Sequence, residues 1–378
     1  MRSRRHFFLG LLAAARPSRA LAAPARKILI CLIDGLDPAY IEKSEMPTLR
    51  RLMRAGTYRV GKAAMPSLTN VNSATLATGA FPATHGITAN TFFDPALGRI
   101  VELSDPKYLR ATTLFTSAHA RGLRTAFVGA KAKIHSLLGH AAQTSLSAEK
   151  SGIPMYNAEN SYWVFERGRD LLRRPETNLL YLTTSDYMMH TYAPEAEPSL
   201  AHLAQVDRLL GRIVNDHPQL ELYLCADHGM NAKTIGLDPV RLLAAKGIRA
   251  RSAAAIADAH KVHHKDLGGS VYVDLETPAE AEKARDILLA ERGMEEVLLR
   301  AEAAQRFKLY APRTGDLFVL AAPTVALGSL DRTRADIRIR THGSLHETSI
   351  PLLVYGRKVP PPQTIADLTA ARPWENQG

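Results

Sequence analysis

Residues 27–38 read KILICLIDGLDP, an aliphatic and β-branched run that stops at Asp34 and is followed at once by Gly35. A short continuous apolar run of this kind suits a strand buried on both faces, as in parallel sheets covered by helices. Gly35 permits a sharp backbone turn, which leaves Asp34 at the carboxyl end of the strand, where open α/β sheets gather their function. The arrangement recurs twice. NLLYLTTSD sets Asp186 just past an apolar run, with His190 four residues on, and LELYLCADH sets Asp227 and His228 past another. A single Asp after a strand is commonly a helix cap or turn residue. Three at separate strand ends argue for one shared site.

Working outward, further strand-like runs occupy residues 125–128, 270–274, 317–320 and 352–355, alternating with amphipathic segments at 47–55, 162–172, 199–214 and 278–292. The pattern is βαβ and predicts an α/β fold, a doubly wound, mostly parallel sheet. Residues 236–335 interrupt it with their own strand and helix alternation and are expected to form a smaller inserted α+β lid. The core would then be residues 27–235 and 336–372. No internal repeat or low-complexity tract is visible.

The 378 residues are 46% hydrophobic and 22% charged, an ordinary globular balance. Two cysteines cannot build a disulfide scaffold or a four-thiolate metal site, so a metal here would be held mainly by His and carboxylate. Cys31 and Cys225 fall inside predicted strands and are expected to be buried thiols. The formal charge of +11 is front-loaded: without Arg2, Arg4, Arg5, Arg16 and Arg19 it falls to +6. Residues 1–22 combine a basic start, an apolar run over 7–15 and the small-residue Ala20-Leu21-Ala22, the pattern of a cleavable export signal, and the run is too short for a membrane anchor. Ser3-Arg4-Arg5-His6-Phe7-Phe8 resembles a twin-arginine signal, implying the twin-arginine export machinery as a partner and a periplasmic protein cleaved near Ala22. With 6% aromatic residues and no later basic run interleaved with them, a nucleic-acid partner is not expected.

A fourth signal is MPSLTNVNSATLATGAFPATHGITANTFFDP, residues 65–95. It places Thr69 at the start of a helix running to Thr78, where unpaired amides favour an anion, amid a polar set of Asn70, Asn72, His85 and Asn90. Asp34, the Thr69 segment, the Asp186-to-His190 spacing, Asp227-His228 and Thr341-His342-Gly343 together resemble the alkaline phosphatase superfamily in its nucleotide pyrophosphatase/phosphodiesterase branch. MPSLTNVN, residues 130–133 (AKAK), 183–187 (TTSDY), 226–233 (ADHGMNAK), 262–264 (VHH) and 341–343 (THG) resemble the phosphonoacetate hydrolase family within it.

The resemblance implies two zinc ions, one held by Asp34, Thr69, Asp227 and His228 and the other by Asp186, His190 and His342; manganese or iron would suit the same ligand types. It leaves His85, His135 and His346 outside the ligand set. Thr69 becomes the nucleophile, attacking phosphorus to form a phospho-threonine that water then hydrolyses. Asn90, and the amide of Asn70, would donate hydrogen bonds to a phosphoryl oxygen, with Asn72 as a further substrate contact or a turn cap. Lys131 and Lys133 follow the 125–128 strand, and alternation along an extended segment would put both on one side, to grip a carboxylate. His264 would close over the substrate from the lid, with His263 its neighbour. The implied reaction is cleavage of the C–P bond of phosphonoacetate to acetate and phosphate. A periplasmic phosphodiesterase acting on diesters would keep the same metal-site residues, and a non-catalytic phosphonate-binding protein is a third alternative. The partners expected are a small phosphonate or phosphoester, with a homodimer left open.

Overall fold

The computed structural model describes residues 27–254, 256–257 and 261–374. The export signal read at residues 1–22 lies outside the described residues. In chain order the strands are β1 (Ile28–Leu32), β2 (Thr57–Lys62), β3 (Thr91–Asp94), β4 (Arg99–Glu102), β5 (Thr125–Gly129), β6 (Thr144–Ser147), β7 (Leu179–Thr183), β8 (Glu221–Cys225), β9 (Asn231–Leu237), β10 (Ala250–Ala254), β11 (Ser270–Leu275), β12 (Met294–Leu299), β13 (Leu317–Ala321), β14 (Val325–Leu327), β15 (Arg334–Thr341) and β16 (Ser349–Tyr355). The central sheet has the order β2-β16-β8-β1-β7-β5-β6. β1 pairs in parallel with both β7 and β8, and β5 in parallel with β6 and β7.

Helices cover both faces, as the side-chain alternation requires. On β7, Leu180 and Leu182 pack under Gly168 of the helix Glu159–Leu172. Tyr181, between them, points the other way against Phe115 of the helix Leu114–His119. Every residue of β1, β5, β7 and β8 is buried, which explains why these runs read as continuous rather than alternating. Cys31 and Cys225 sit in this core as free, buried thiols.

The run at residues 352–355 departs from the parallel pattern: β16 is antiparallel to β8 and β2. An apolar run carries no direction. Its direction follows from the chain path, because β16 sets out from the carboxyl edge of the sheet, just after His342. There β9 and β15 pair antiparallel and bring Thr341 opposite Asn231, so His342 arrives beside Asp227-His228.

The strands at 270–275 and 317–321 belong to a separate antiparallel sheet, β10-β11-β13-β12. One side of it, with Val271, Val273, Leu317 and Val319, packs on Ala284 and Leu288 of the helix Ala281–Leu289. The other side, with Tyr272, Phe318 and Leu320, shares a core with Ala64, Met65, Leu68, Val71 and Ala89, the residues around Thr69. A hinged lid would not share a close-packed core with the segment it covers; this sheet is built as a wall. Leu320→Ala should therefore cost about 2–5 kcal/mol and lower the midpoint of a single calorimetric unfolding transition. Two resolved transitions, with only one shifted, would show that the inserted sheet folds as an independent unit.

Candidate metal centre

Each central strand delivers its residue as its own end dictates. Asp34 follows β1 and Ile33, with its amide donating to Thr184 Oγ1 at 2.9 Å, while Gly35 turns the chain at φ 73°. A side chain at Gly35 would crowd the Asp186 Cβ at 3.0 Å, so glycine is needed for the two strand ends to approach. Asp186 begins the short helix Tyr187–Thr191, and the four-residue spacing brings His190 Nε2 to 3.0 Å from its Oδ2. Asp227 Oδ1 accepts the amides of Gly35 and His228, each at 3.1 Å. The helix Thr69–Thr78 starts where the sequence places it, capped by Leu68 without a side-chain bond, so Thr69 is not spent as a cap. Its hydroxyl lies 3.4 Å from His228 Nε2 and 3.4 Å from Lys131 Nζ.

The three histidines are held alike. Their Nδ1 atoms meet backbone carbonyls: His190 that of Arg340 at 2.6 Å, His342 that of Ser67 at 2.7 Å, and His228 that of Gly229 at 2.9 Å. An N–H donated to a carbonyl orients the ring and would leave Nε2 as the atom available to a metal. Those Nε2 atoms converge on the carboxylates: His228 Nε2 is 3.3 Å from both Asp34 Oδ1 and Asp227 Oδ2, and His342 Nε2 is 3.7 Å from Asp186 Oδ2. Among the described residues two groups could hold a metal ion, Asp186 with His190 and His342, and Asp34 with Asp186 and His228. Asp186 thus faces both groups, and Thr69 and Asp227 border the second.

Electrostatics calls for cations here. Asp34 Oδ2 is met by the Lys131 ammonium, while Asp34 Oδ1 and Asp227 Oδ2 receive no hydrogen bond among the described residues. Burial, then the like charges of Asp186 and Asp227, push the Asp34 carboxyl well above the usual range, and burial raises Asp227 to about 6. Asp186 is also raised by burial, but Lys131 and His190 outweigh this and hold it well below. Lys131 Nζ sits 2.7 Å from Asp34 Oδ2 and 2.7 Å from Asp186 Oδ1. One ammonium cannot balance three carboxylates. Burial lowers His228 and His342, keeping both imidazoles neutral and ready to ligate. Buried unpartnered carboxylate oxygens, neutral Nε2 donors and no thiolate fit divalent ions of the zinc type.

Several predicted substrate contacts are placed differently. Asn72 is spent on backbone: its Oδ1 accepts the Ala64 amide at 2.7 Å and its Nδ2 donates to the carbonyls of Ala64 and Leu68, so it has a structural role. The Asn70 amide donates to Asn90 Oδ1 at 3.3 Å, which leaves Asn90 Nδ2, buried with no acceptor among the described residues, as the remaining donor. Lys131 and Lys133 do not share one side of an extended segment, because Lys131 is the N-cap of the helix Ala132–Leu138 and Lys133 lies in its first turn. Lys131 is brought onto the carboxylates of Asp34 and Asp186. His264 is buried, and its Nδ1 accepts the Asp266 amide at 2.9 Å. Its neighbour His263 lies nearer the centre, with its ring 4.3 Å from that of His190, against 6.2 Å for His264. Tyr156, which no motif singled out, stands 5.4 Å from His263 and 5.7 Å from Tyr187. His85, His135 and His346 pair elsewhere, with Thr75, Lys150 and Glu295.

A doubly wound sheet carrying Asp, Asp-x-x-x-His, Asp-His and a late His at its carboxyl edge defines the alkaline phosphatase-like class. Within it, a family model described as Type I phosphodiesterase / nucleotide pyrophosphatase matches residues 28–345, and the chain belongs to this family. It is similar to the solved phosphonoacetate hydrolase of Sinorhizobium meliloti 1021. The complex of that enzyme with phosphonoformate superimposes at TM-score 0.82, with 31% identity over 92% of this chain and 96% of that one. The complex with phosphonoacetate superimposes at 0.83 with 30% identity. Murine ectonucleotide pyrophosphatase / phosphodiesterase 5 shares the fold at TM-score 0.69 and 20% identity, over 91% of this chain and 93% of that one. Venom phosphodiesterase 2 of Crotalus adamanteus is 28% identical over 220 residues, 54% of this chain and 26% of the relative. The chain therefore spans about a quarter of the length of these curated relatives. No helix among the described residues is long and apolar enough to cross a membrane.

Burial raises Asp227 to about 6 and holds Asp34 high as well, so if this pair binds a metal, protons should compete with it and zinc affinity should fall as the pH drops through about 6. The expected slope is about tenfold per pH unit for each proton displaced. Zinc competition against a chromogenic chelator across this range measures it; a flat profile would remove Asp227 from the ligand set.

Proposed function

We propose that the chain hydrolyses the C–P bond of phosphonoacetate, releasing acetate and phosphate. The observation that carries this reading is the position of Lys131: a buried ammonium on Asp34 and Asp186, 3.4 Å from the Thr69 hydroxyl, where a substrate carrying a carboxylate beside its phosphorus needs positive charge. The likeness to a phosphonoacetate hydrolase over nearly the whole described chain supports it.

In this reading Asp34, Thr69, Asp227 and His228 hold one zinc ion, and Asp186, His190 and His342 a second. When bound, such ions lower the pKa of a ligating hydroxyl or water and neutralise phosphoryl oxygens. The Thr69 hydroxyl gives up its proton to solvent as Oγ1 attacks phosphorus in line, and the P–C bond breaks, its electron pair leaving on the methylene carbon of acetate. That carbanion is delocalised onto the carboxylate, where the Lys131 charge favours it, and it takes a proton from water. Asn90 Nδ2 donates to a phosphoryl oxygen. Water then hydrolyses the phospho-threonine, returning the Thr69 hydroxyl and releasing phosphate.

Thr69→Ala should abolish phosphate release from phosphonoacetate, a loss of at least about a thousandfold, while retaining zinc. Lys131→Met should lower phosphonoacetate turnover by about a hundredfold or more and spare a chromogenic phosphodiester. The match to venom phosphodiesterases favours a second reading: if the wild-type chain cleaves the diester and releases nothing from phosphonoacetate, it is a phosphodiesterase on the same centre.

We infer also that the chain is exported to the periplasm through the twin-arginine route, supported by the arginine pair before the apolar run. Replacing Arg4 and Arg5 with Lys should leave unprocessed protein in the cytoplasmic fraction; normal export of that variant would assign an ordinary secretory signal instead.

A further inference from the structure

Outside the proposed ligand set, Asn231, Lys233 and Glu347 form a hydrogen-bonded polar cluster beside the centre. Glu347 is fully buried. Its Oε1 accepts Lys233 Nζ at 2.8 Å and Asn231 Nδ2 at 2.8 Å, and its Oε2 accepts the Ser344 amide at 2.9 Å and the Ser344 hydroxyl at 2.6 Å. Its backbone carbonyl accepts the Gly229 amide at 2.7 Å. Lys233 is anchored in turn on the Pro323 carbonyl at 2.8 Å.

These bonds join two loops that carry ligands. Gly229, Asn231 and Lys233 continue from Asp227-His228, and Ser344 follows His342 by two residues. Ser67 closes the far side. Its carbonyl meets His342 Nδ1, its hydroxyl donates to the Ser344 carbonyl at 2.7 Å, and Ser67 Oγ accepts the Gly343 amide at 3.1 Å. The His342 loop is therefore clamped between the nucleophile segment and Glu347. Gly343, at φ 115°, gives this loop a backbone conformation that other residues rarely adopt.

We propose that Glu347, held by Lys233, is a positioning residue that fixes the His342 loop against the Asp227-His228 loop and so sets the affinity of the ion bound through His342. This rests on the metal-centre reading above and is independent of the substrate. Groups behind a ligand that orient it typically account for about ten- to hundredfold in metal affinity.

The test is zinc titration of the full chain by chelator competition, with zinc content by emission spectroscopy, on wild type, Glu347→Gln and the double variant Lys233→Met/Glu347→Leu. Glu347→Gln keeps the shape but turns one acceptor into a donor facing donors. It should weaken one of two zinc ions by about ten- to hundredfold, leave the other within about threefold, and lower kcat with little change in KM. The double variant replaces the ion pair with an apolar pair and should recover much of any lost unfolding midpoint, but not the zinc affinity. Recovery of zinc affinity together with stability would show that Glu347 acts only through folding and overturn the proposal, as would a Glu347→Gln variant whose two affinities match wild type. Should Glu347→Gln not fold, the double variant decides alone. Failure to turn over phosphonoacetate would refute the substrate reading and leave the zinc titration standing.

Discussion

Three carboxylates, Asp34, Asp186 and Asp227, are buried within a few ångströms of one another at the edge of the central sheet, and their mutual repulsion is the constraint on which the site depends. Water cannot relieve it. Protons, Lys131 and metal ions are the means left, and the protein brings neutral imidazole nitrogens to the same point, as a metal would require. The parallel strands make this economical, since β1, β7 and β8 end side by side and each needs only one turn beyond its last paired residue to present a carboxylate.

The fourth element has to be brought from far along the chain. β9 and β15 carry it, pairing across the inserted residues so that His342 lands where Asp227 and His228 leave the sheet. The insertion is not free to swing there, because Tyr272, Phe318 and Leu320 fill one core with Met65, Leu68 and Val71. Thr88, two residues before Asn90, is tied into the same wall through the carbonyl bonds to Tyr272 and Arg313. The Thr69 segment, Asn90 and the His342 loop are thus braced by the same sheet, which favours a rigid, preorganised centre over one assembled by closure.

Much of this was legible in the sequence. The strand ends bearing Asp34, Asp186 and Asp227-His228, the helix from Thr69 to Thr78, and the mostly parallel sheet follow from apolar runs that stop at chemistry-bearing residues, and such runs report burial directly. Direction and side-chain expenditure do not show in a run. Nothing at 352–355 says that β16 lies antiparallel. Asn72 looks like Asn90 until one sees its amide bound to the Ala64 and Leu68 backbone. Lys131 and Lys133 separate because a helix, not an extended segment, begins at Ala132. Ser67 left no signal, since its partners lie more than 100 residues away, and Glu347 shows only as the end of a Ser344-x-x-Glu347 capping box, its bonds to Asn231 and Lys233 being equally remote in sequence.

The two thiols of the core carry a consequence of their own. Burial raises Cys31 to about 12 and Cys225 well above its usual value, so neither offers a thiolate to an oxidant or an alkylating reagent while the fold is closed. The native chain should therefore react slowly with thiol reagents. A single cysteine introduced on its surface would be the one reactive sulfur, so a spin label or fluorophore placed on the inserted sheet could report distances to the core without first removing the natural pair.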